Sequence, residues 1–219
     1  MNIFRGVEPG LCRRVGGGVE SVLLASLVQA TPGERLAELG SGCGESAIRV
    51  ALANPGVRVD ALELQEVLSI EAQKLAISHG VADRVRVVTG DVRHPPACMI
   101  RGGYSQLFCN PPFFLPEEGR LPTDGPRAVA RFELTAGLKD FMSCAARLLT
   151  KGGWFHLVHR PERLVEILAK LQECALTPTR LIPIHDPMVI PAILILVTAR
   201  KGGKKGGLTL EPAQWIERA

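Results

Sequence analysis

The chain has 219 residues, enough for one α/β domain with a substantial core. Hydrophobic residues make up 46% and charged residues 22%, which excludes a disordered chain. A net charge of +4, with an isoelectric point near 8.8, permits a polyanionic partner without requiring one, and no stretch is long and apolar enough to span a bilayer.

Arg13 and Arg14 ahead of the apolar run Val22 to Val28 imitate a signal peptide, but Glu20 and Ser21 open that run and it is short. It reads as a helix covering a sheet, so residues 1–30 are a lead with this helix and residues 31–219 the main domain. Short β-rich runs then alternate with helical ones, the pattern of an α/β fold with a mostly parallel sheet. Strand one is Arg35 to Leu39, and a helix follows Gly44 until Asn54-Pro55-Gly56 stops it. Strand two is Val57 to Glu63, a helix covers Val67 to His79, and Gly80 ends it. Strand three is Arg84 to Thr89, strand four Ser105 to Asn110, and Leu134 to Leu149 is helical. After the turn Lys151-Gly152-Gly153 comes strand five, Trp154 to His159. Pro161 opens a further helix to about Cys174. Thr179 to His185 and Ala192 to Arg200 form a terminal pair of strands.

Parallel sheets place ligands at the carboxyl ends of their strands, and those ends are where this sequence concentrates its chemistry. Between strand one and its helix lies Glu38-Leu39-Gly40-Ser41-Gly42-Cys43-Gly44. Such a glycine-rich turn lets a ligand approach the backbone. The dinucleotide fingerprint requires glycine where this chain has Glu45, and a carboxylate at the helix start repels a pyrophosphate. It suits a cofactor without phosphate, such as S-adenosylmethionine with its sulfonium and ammonium. Glu63, followed by Leu64, ends strand two and is placed to accept both hydroxyls of a ribose. Asp91 and Val92, after strand three, are placed to bind the adenine amino group and a ring nitrogen. The cofactor set is therefore Glu38, Gly40, Ser41, Gly42, Gly44, Glu63, Leu64, Asp91, Val92 and Asn110, although Glu38 also fits a buried capping role and Asp91 a simple turn.

Strand four runs into Asn110-Pro111-Pro112-Phe113, the candidate catalytic segment. Two prolines stiffen it and remove two N–H donors, so nearby carbonyls stay free to accept. Asn110 and the Pro111 carbonyl can together take both hydrogens of an –NH₂ group. That lets a delocalised amino nitrogen pyramidalise toward a sulfonium methyl and stabilises the charge that develops on it. Phe113 can stack on a planar substrate.

The glycine loop, Glu63, Asp91 and N-P-P-F resemble class I S-adenosylmethionine-dependent methyltransferases acting on amino nitrogens. More narrowly, the chain resembles the bacterial tRNA1(Val) adenine-37 N6-methyltransferase group. The similarity to that group includes Glu20-Ser21-Val22-Leu23-Leu24-Ala25, His159-Arg160-Pro161-Glu162-Arg163-Leu164 and Lys201-Gly202-Gly203-Lys204. Two positions depart: Phe132 stands where the group has His, and Glu20 where it has Asp. The resemblance implies a Rossmann-like, seven-stranded sheet whose last strand is antiparallel, a flipped-out adenine in the pocket, and a tRNA partner.

Arg127 and Arg131, in the long connection Leu115 to Glu133, are candidates for holding RNA phosphates. His159 and Arg160, at the carboxyl edge, would extend that surface. The stretch Lys201 to Lys205 reads either as a solvated connector or as a phosphate-contacting loop. Rival readings are a guanine N2-methyltransferase acting on rRNA, a protein glutamine N5-methyltransferase, and a non-catalytic cofactor-binding module. Cys12, Cys43, Cys98, Cys109, Cys144 and Cys174 form no C-x-x-C pair, which predicts neither a disulfide framework nor a metal site and suggests reduced thiols in the cytoplasm.

Overall fold

Seven apolar runs become the long strands of one sheet. In the computed structural model, residues 18–113, 135–186, 188–203 and 206–216 are described. The strands are β1 (Arg35–Leu39), β2 (Arg58–Glu63), β3 (Val85–Thr89), β4 (Tyr104–Cys109), β5 (Leu149–His159), β6 (Leu176–Asp186) and β7 (Val189–Lys201). Two-residue strands β8 (Thr209–Leu210) and β9 (Gln214–Trp215) add to the outer edge of β6. The order is β3-β2-β1-β4-β5-β7-β6-β8. β1 to β5 pair in parallel, and β7 lies antiparallel between β5 and β6. The expected seven-stranded, mostly parallel sheet is present, extended by the two short strands.

Helices cover both faces, as apolar strands buried on two sides require. On one side α1 (Val19–Leu27) and α2 (Glu45–Ala53) bury Leu23, Leu24, Ile48 and Val50 against Leu36, Val59 and Phe108. On the other, α4 (Leu138–Leu148) and α5 (Leu164–Glu173) bury Phe141, Met142, Leu148 and Ile167 against Leu107, Phe155 and Val197. α3 (Glu66–Ser78) follows β2, and a 3₁₀ turn, Pro161–Arg163, leads into α5.

Two features differ from the sequence reading, and the first has a local cause. Strand five begins at Leu149, because Leu149 pairs with Tyr104 and Trp154 with Gln106 while Lys151-Gly152-Gly153 bulges between them. Cys43 is disulfide-bonded, contrary to the expectation of reduced thiols throughout, whereas Cys98, Cys109, Cys144 and Cys174 are free.

His156, in the middle of β5, is 4% exposed. Its Nε2 lies 3.2 Å from Gln106 Oε1 on β4 and its Nδ1 3.1 Å from Thr198 Oγ1 on β7, so a neutral ring joins three strands. Burial holds its pKa down at about 3, against 6.5 for an exposed histidine. The unfolded chain therefore takes up this proton first as pH falls. The stabilisation is complete above pH 6.5 and is lost from pH 6.5 downward. Between pH 7 and pH 5 the wild type should lose about 2 kcal/mol more than a His156→Gln variant. Urea unfolding at both pH values measures this, and equal losses in the two proteins would refute it.

Candidate active site

The carboxyl edge of β1, β2 and β4 gathers the glycine loop, Glu63 and Asn110. The loop turns sharply after β1: Gly40 and Ser41 both donate their N–H to the Leu62 carbonyl, at 2.9 Å. Gly40 has φ +69°, and a Cβ there would meet Phe141 Cε1 at 2.9 Å, so neither the backbone nor the packing accepts a side chain. Gly42 differs. It also has positive φ, +54°, but a Cβ there would meet nothing within 4 Å. The backbone at Gly42 thus borders open space. Gly44 is the N-cap of α2.

Three carboxylates surround this turn. Glu38, 2% exposed, accepts the Ala47 N–H at 2.9 Å and a hydrogen bond from Ser46, and so caps α2 from the end of β1. Burial, together with Glu63 and Glu45 nearby, pushes its pKa up to about 8. Glu63 Oε2 accepts the Gly42 N–H at 2.7 Å and Oε1 the Gln65 N–H at 2.9 Å. Burial raises its pKa as well. A carboxylate offers about four acceptor sites, so hydroxyl groups still have room at Glu63. Glu45, 4% exposed, pairs with Arg49 at 3.0 Å. A cationic ligand would favour the ionised form of these crowded, buried carboxyls, whereas a pyrophosphate would add to the repulsion that disfavours it. Ser41 Oγ is buried without a hydrogen-bond partner among the described residues, a polar atom that a ligand in the open space can satisfy. By this test the residues present fit S-adenosylmethionine. Leu64 is 39% exposed beside Glu63, and Val92 is buried at 7%. Asp91 is engaged within its own turn, where Arg93 donates from its backbone N–H at 2.8 Å and from Nη2 at 2.6 Å.

Asn110 follows the last residue of β4. Its Oδ1 is buried and has no hydrogen-bond partner among the described residues. Such an acceptor costs on the order of 1–3 kcal/mol unless something bonds to it. Pro111 is buried, and Phe113 is half-buried with its ring centroid 4.9 Å from that of His159, tilted by 55°.

His159 corrects the sequence reading. It was expected on an RNA-facing basic surface, yet it is 0% exposed. As the last residue of β5 it pairs with Ile195 of β7, which draws the ring beneath Phe113. Burial pushes its pKa down to about 4, so the ring is uncharged at neutral pH. It backs the Asn110–Phe113 segment from below. Arg160 is partly exposed and pairs with Glu162 at 2.8 Å. Arg127 and Arg131 lie outside the described residues. The Phe113–His159 contact and the Phe141 ring under Gly40 escaped sequence reasoning, because both depend on neighbours distant in sequence.

No family model matches the chain. It is 30% identical over 142 residues to a tRNA1(Val) (adenine(37)-N6)-methyltransferase of Erwinia tasmaniensis, a match spanning 64% of this chain and 57% of that protein. A protein of the same name from Trichodesmium erythraeum is 26% identical over 204 residues, 90% of this chain and 84% of that one. Among solved structures, a predicted O-methyltransferase from Agrobacterium tumefaciens superposes with a TM-score of 0.69 at 23% identity, covering 90% of this chain and 86% of that one. Geranyl diphosphate methyltransferase in complex with S-adenosylmethionine gives 0.62 at 15% identity, covering 83% and 84%. The fold is thus the Rossmann-like fold of these methyltransferases.

Proposed function

We propose that this chain transfers a methyl group from S-adenosylmethionine to the N6 amino group of an adenine in tRNA. The observation that carries the reading is Asn110 Oδ1, a buried acceptor at the end of β4 without a partner among the described residues. It stands at the same sheet edge as the acidic glycine turn. The names of the Erwinia and Trichodesmium relatives supply the substrate class.

S-adenosylmethionine, when bound, supplies an electrophilic methyl group on a sulfonium. Its ammonium and sulfonium suit the turn of Glu38, Gly40, Ser41, Gly42 and Gly44. Glu63 takes the ribose, with Leu64 beside it, and Asp91 and Val92 flank the adenine. At Asp91 this requires Arg93 to move or to share the carboxylate. Asn110 Oδ1 and the Pro111 carbonyl accept the two hydrogens of the substrate amine, Pro112 keeps the segment stiff, and Phe113 bounds the base. Holding both N–H bonds weakens delocalisation of the nitrogen lone pair and aims it at the methyl group. The proton leaves after transfer, so no strong general base is needed. Arg160, Arg127 and Arg131 remain candidates for RNA contacts. Residues 31–219 form the catalytic domain, with α1 covering its sheet, and a tRNA substrate goes with a cytoplasmic location.

The test is transfer of labelled methyl to total tRNA, rRNA and ribosomal protein, followed by nucleoside or amino-acid analysis. N6-methyladenosine in tRNA is the expected product. Label in guanine N2 or in glutamine instead would overturn the assignment.

A further inference from the structure

The cations of this protein are not spread evenly over its two sheet edges. At the carboxyl edge the described arginines are neutralised: Arg93 by Asp91, Arg160 by Glu162 and Arg163 by Glu166. The opposite, amino edge of β4 and β5, where β7 ends, carries Arg101, Arg147, Lys151, Arg200 and Lys201. None of these five forms an ion pair among the described residues. Four are exposed and Lys201 is half-buried.

The chain path forces them together. β7 runs antiparallel to β5, so its last residues come back to the start of β5, with Arg200 opposite Trp154. Lys201 Nζ donates to the Leu149 carbonyl at 2.7 Å. Arg200 Nε donates to the Gly152 carbonyl at 3.1 Å, next to Lys151, and its guanidinium lies 5.0 Å from the centre of the Trp154 ring. From the other side, the Gly102 N–H donates to the Arg147 carbonyl at 3.1 Å and so brings Arg101 to the end of α4. Burial, and after it the nearby Arg101, lowers the Lys201 pKa. Like charges repel one another; backbone carbonyls accept from Lys201 and Arg200, but none of the five cations pairs with a carboxylate among the described residues. A polyanion would relieve that repulsion.

We infer that this amino-edge face is a second RNA-binding surface, which holds phosphates of the substrate away from the modified nucleotide. The inference rests on the proposed RNA substrate. Five residues separate Trp154 from His159 along β5, a span of roughly 17 Å. That line runs through the buried sheet, so an RNA touching both faces passes around the domain and spans more than the roughly five nucleotide steps that ~3.4 Å per step would give. Arg200 on Trp154 adds a flat, cationic contact of the type that packs against bases and backbone. Lys201 thus sits on this face and not beside the pocket; Lys204 and Lys205 lie outside the described residues.

The test compares the full-length wild type with Arg101→Ala/Lys151→Ala, a pair whose side chains bridge no strands, and with the same variant carrying Arg200→Ala. Binding of fluorescent tRNA is followed by anisotropy between 50 and 300 mM KCl, together with binding of S-adenosylhomocysteine and methyl transfer. The double variant should bind tRNA roughly tenfold more weakly, with a log–log salt slope shallower by about 1.8, the loss expected for two phosphate contacts. Cofactor affinity should not change. An unchanged slope and affinity in both variants would overturn the surface while leaving the methyltransferase reading intact. Wild type that binds tRNA through these residues but transfers no methyl to it would overturn that reading and leave the surface standing. Binding to phosphatidylserine vesicles in preference to tRNA would assign the face to a membrane and refute the RNA proposal.

Discussion

Asn110→Ala should lower turnover by about 100-fold or more while S-adenosylhomocysteine binds as it does to the wild type. The size follows from the role. A polar contact made to charge that develops in the transition state contributes roughly 10²–10³ in rate when it is preorganised in a site shielded from water. Asn110 Oδ1 is already buried and bonded to nothing among the described residues, so in the proposed role it needs no rearrangement before accepting an amine hydrogen. The cofactor turn is built from other atoms: Gly42 on Glu63, Ala47 on Glu38, and Gly40 on the Leu62 carbonyl. None of these passes through the Asn110 side chain, which separates the effect on turnover from any effect on affinity. Removing a buried acceptor that lacks a partner also relieves a desolvation cost, so the variant should be no less stable than the wild type. Parallel loss of cofactor affinity, or turnover within a few-fold of normal, would sink the assignment. Asn110→Asp sharpens the test. It keeps an acceptor of the same shape but adds a charge where burial disfavours one, and it should recover only part of the lost rate.

Local chemistry was legible in the sequence, and long-range partnership was not. The glycine turn was readable because positive backbone angles and a carboxylate at a helix start are written in adjacent residues. Strands β1 to β4 were readable because apolar runs between turn residues leave few alternatives, and their observed ends fall within one residue of those expected. His159 was misjudged because a histidine followed by Arg160 looks basic in one dimension. Its burial depends on Ile195 beside it and on Phe113 above it, and neither is near in sequence. The Lys201 stretch was left undecided for a related reason. Its distance from the pocket is set by the direction of β7, which runs back to the amino edge. Gly40 shows both kinds of information at one residue. Its positive φ is a local matter, whereas the Phe141 ring that excludes a side chain arrives from α4, a hundred residues later.

Asp60→Ala should cost about 3 kcal/mol, although residue 60 is far from any reacting atom. Asp60 sits in β2 and is 3% exposed. Its carboxylate accepts from Arg35 Nη2 at 2.8 Å, from Arg86 Nε and Nη2 at 2.8 Å, and from the Tyr104 hydroxyl at 2.6 Å. Those partners belong to β1, β3 and β4, so one carboxylate ties four adjacent parallel strands near their starting ends. The arginine side chains are 30% and 47% exposed. Water screens their pairing and would receive them if the acid were lost, so the ion pairs alone account for the smaller share. Tyr104 is 0% exposed and has no such recourse. Its stranded hydroxyl, the cavity left by the carboxylate and the unpaired guanidinium edges together set the cost. For a chain of this length that corresponds to a fall in Tm of roughly 6–12 °C. Tyr104→Phe, which removes the hydroxyl and leaves both arginine contacts, should cost only about 1 kcal/mol. In the double variant the two losses should sum to less than their total, because the hydroxyl and the carboxylate are partners. Thermal unfolding of the four proteins measures this, and strict additivity would show that the Tyr104–Asp60 bond contributes nothing. Glu63 lies three residues along the same strand, but its own bonds go to Gly42 and Gln65. Well below the new Tm, S-adenosylhomocysteine should therefore bind the Asp60 variant as it binds the wild type, and a weakened affinity there would mean that the strand shifts as a unit.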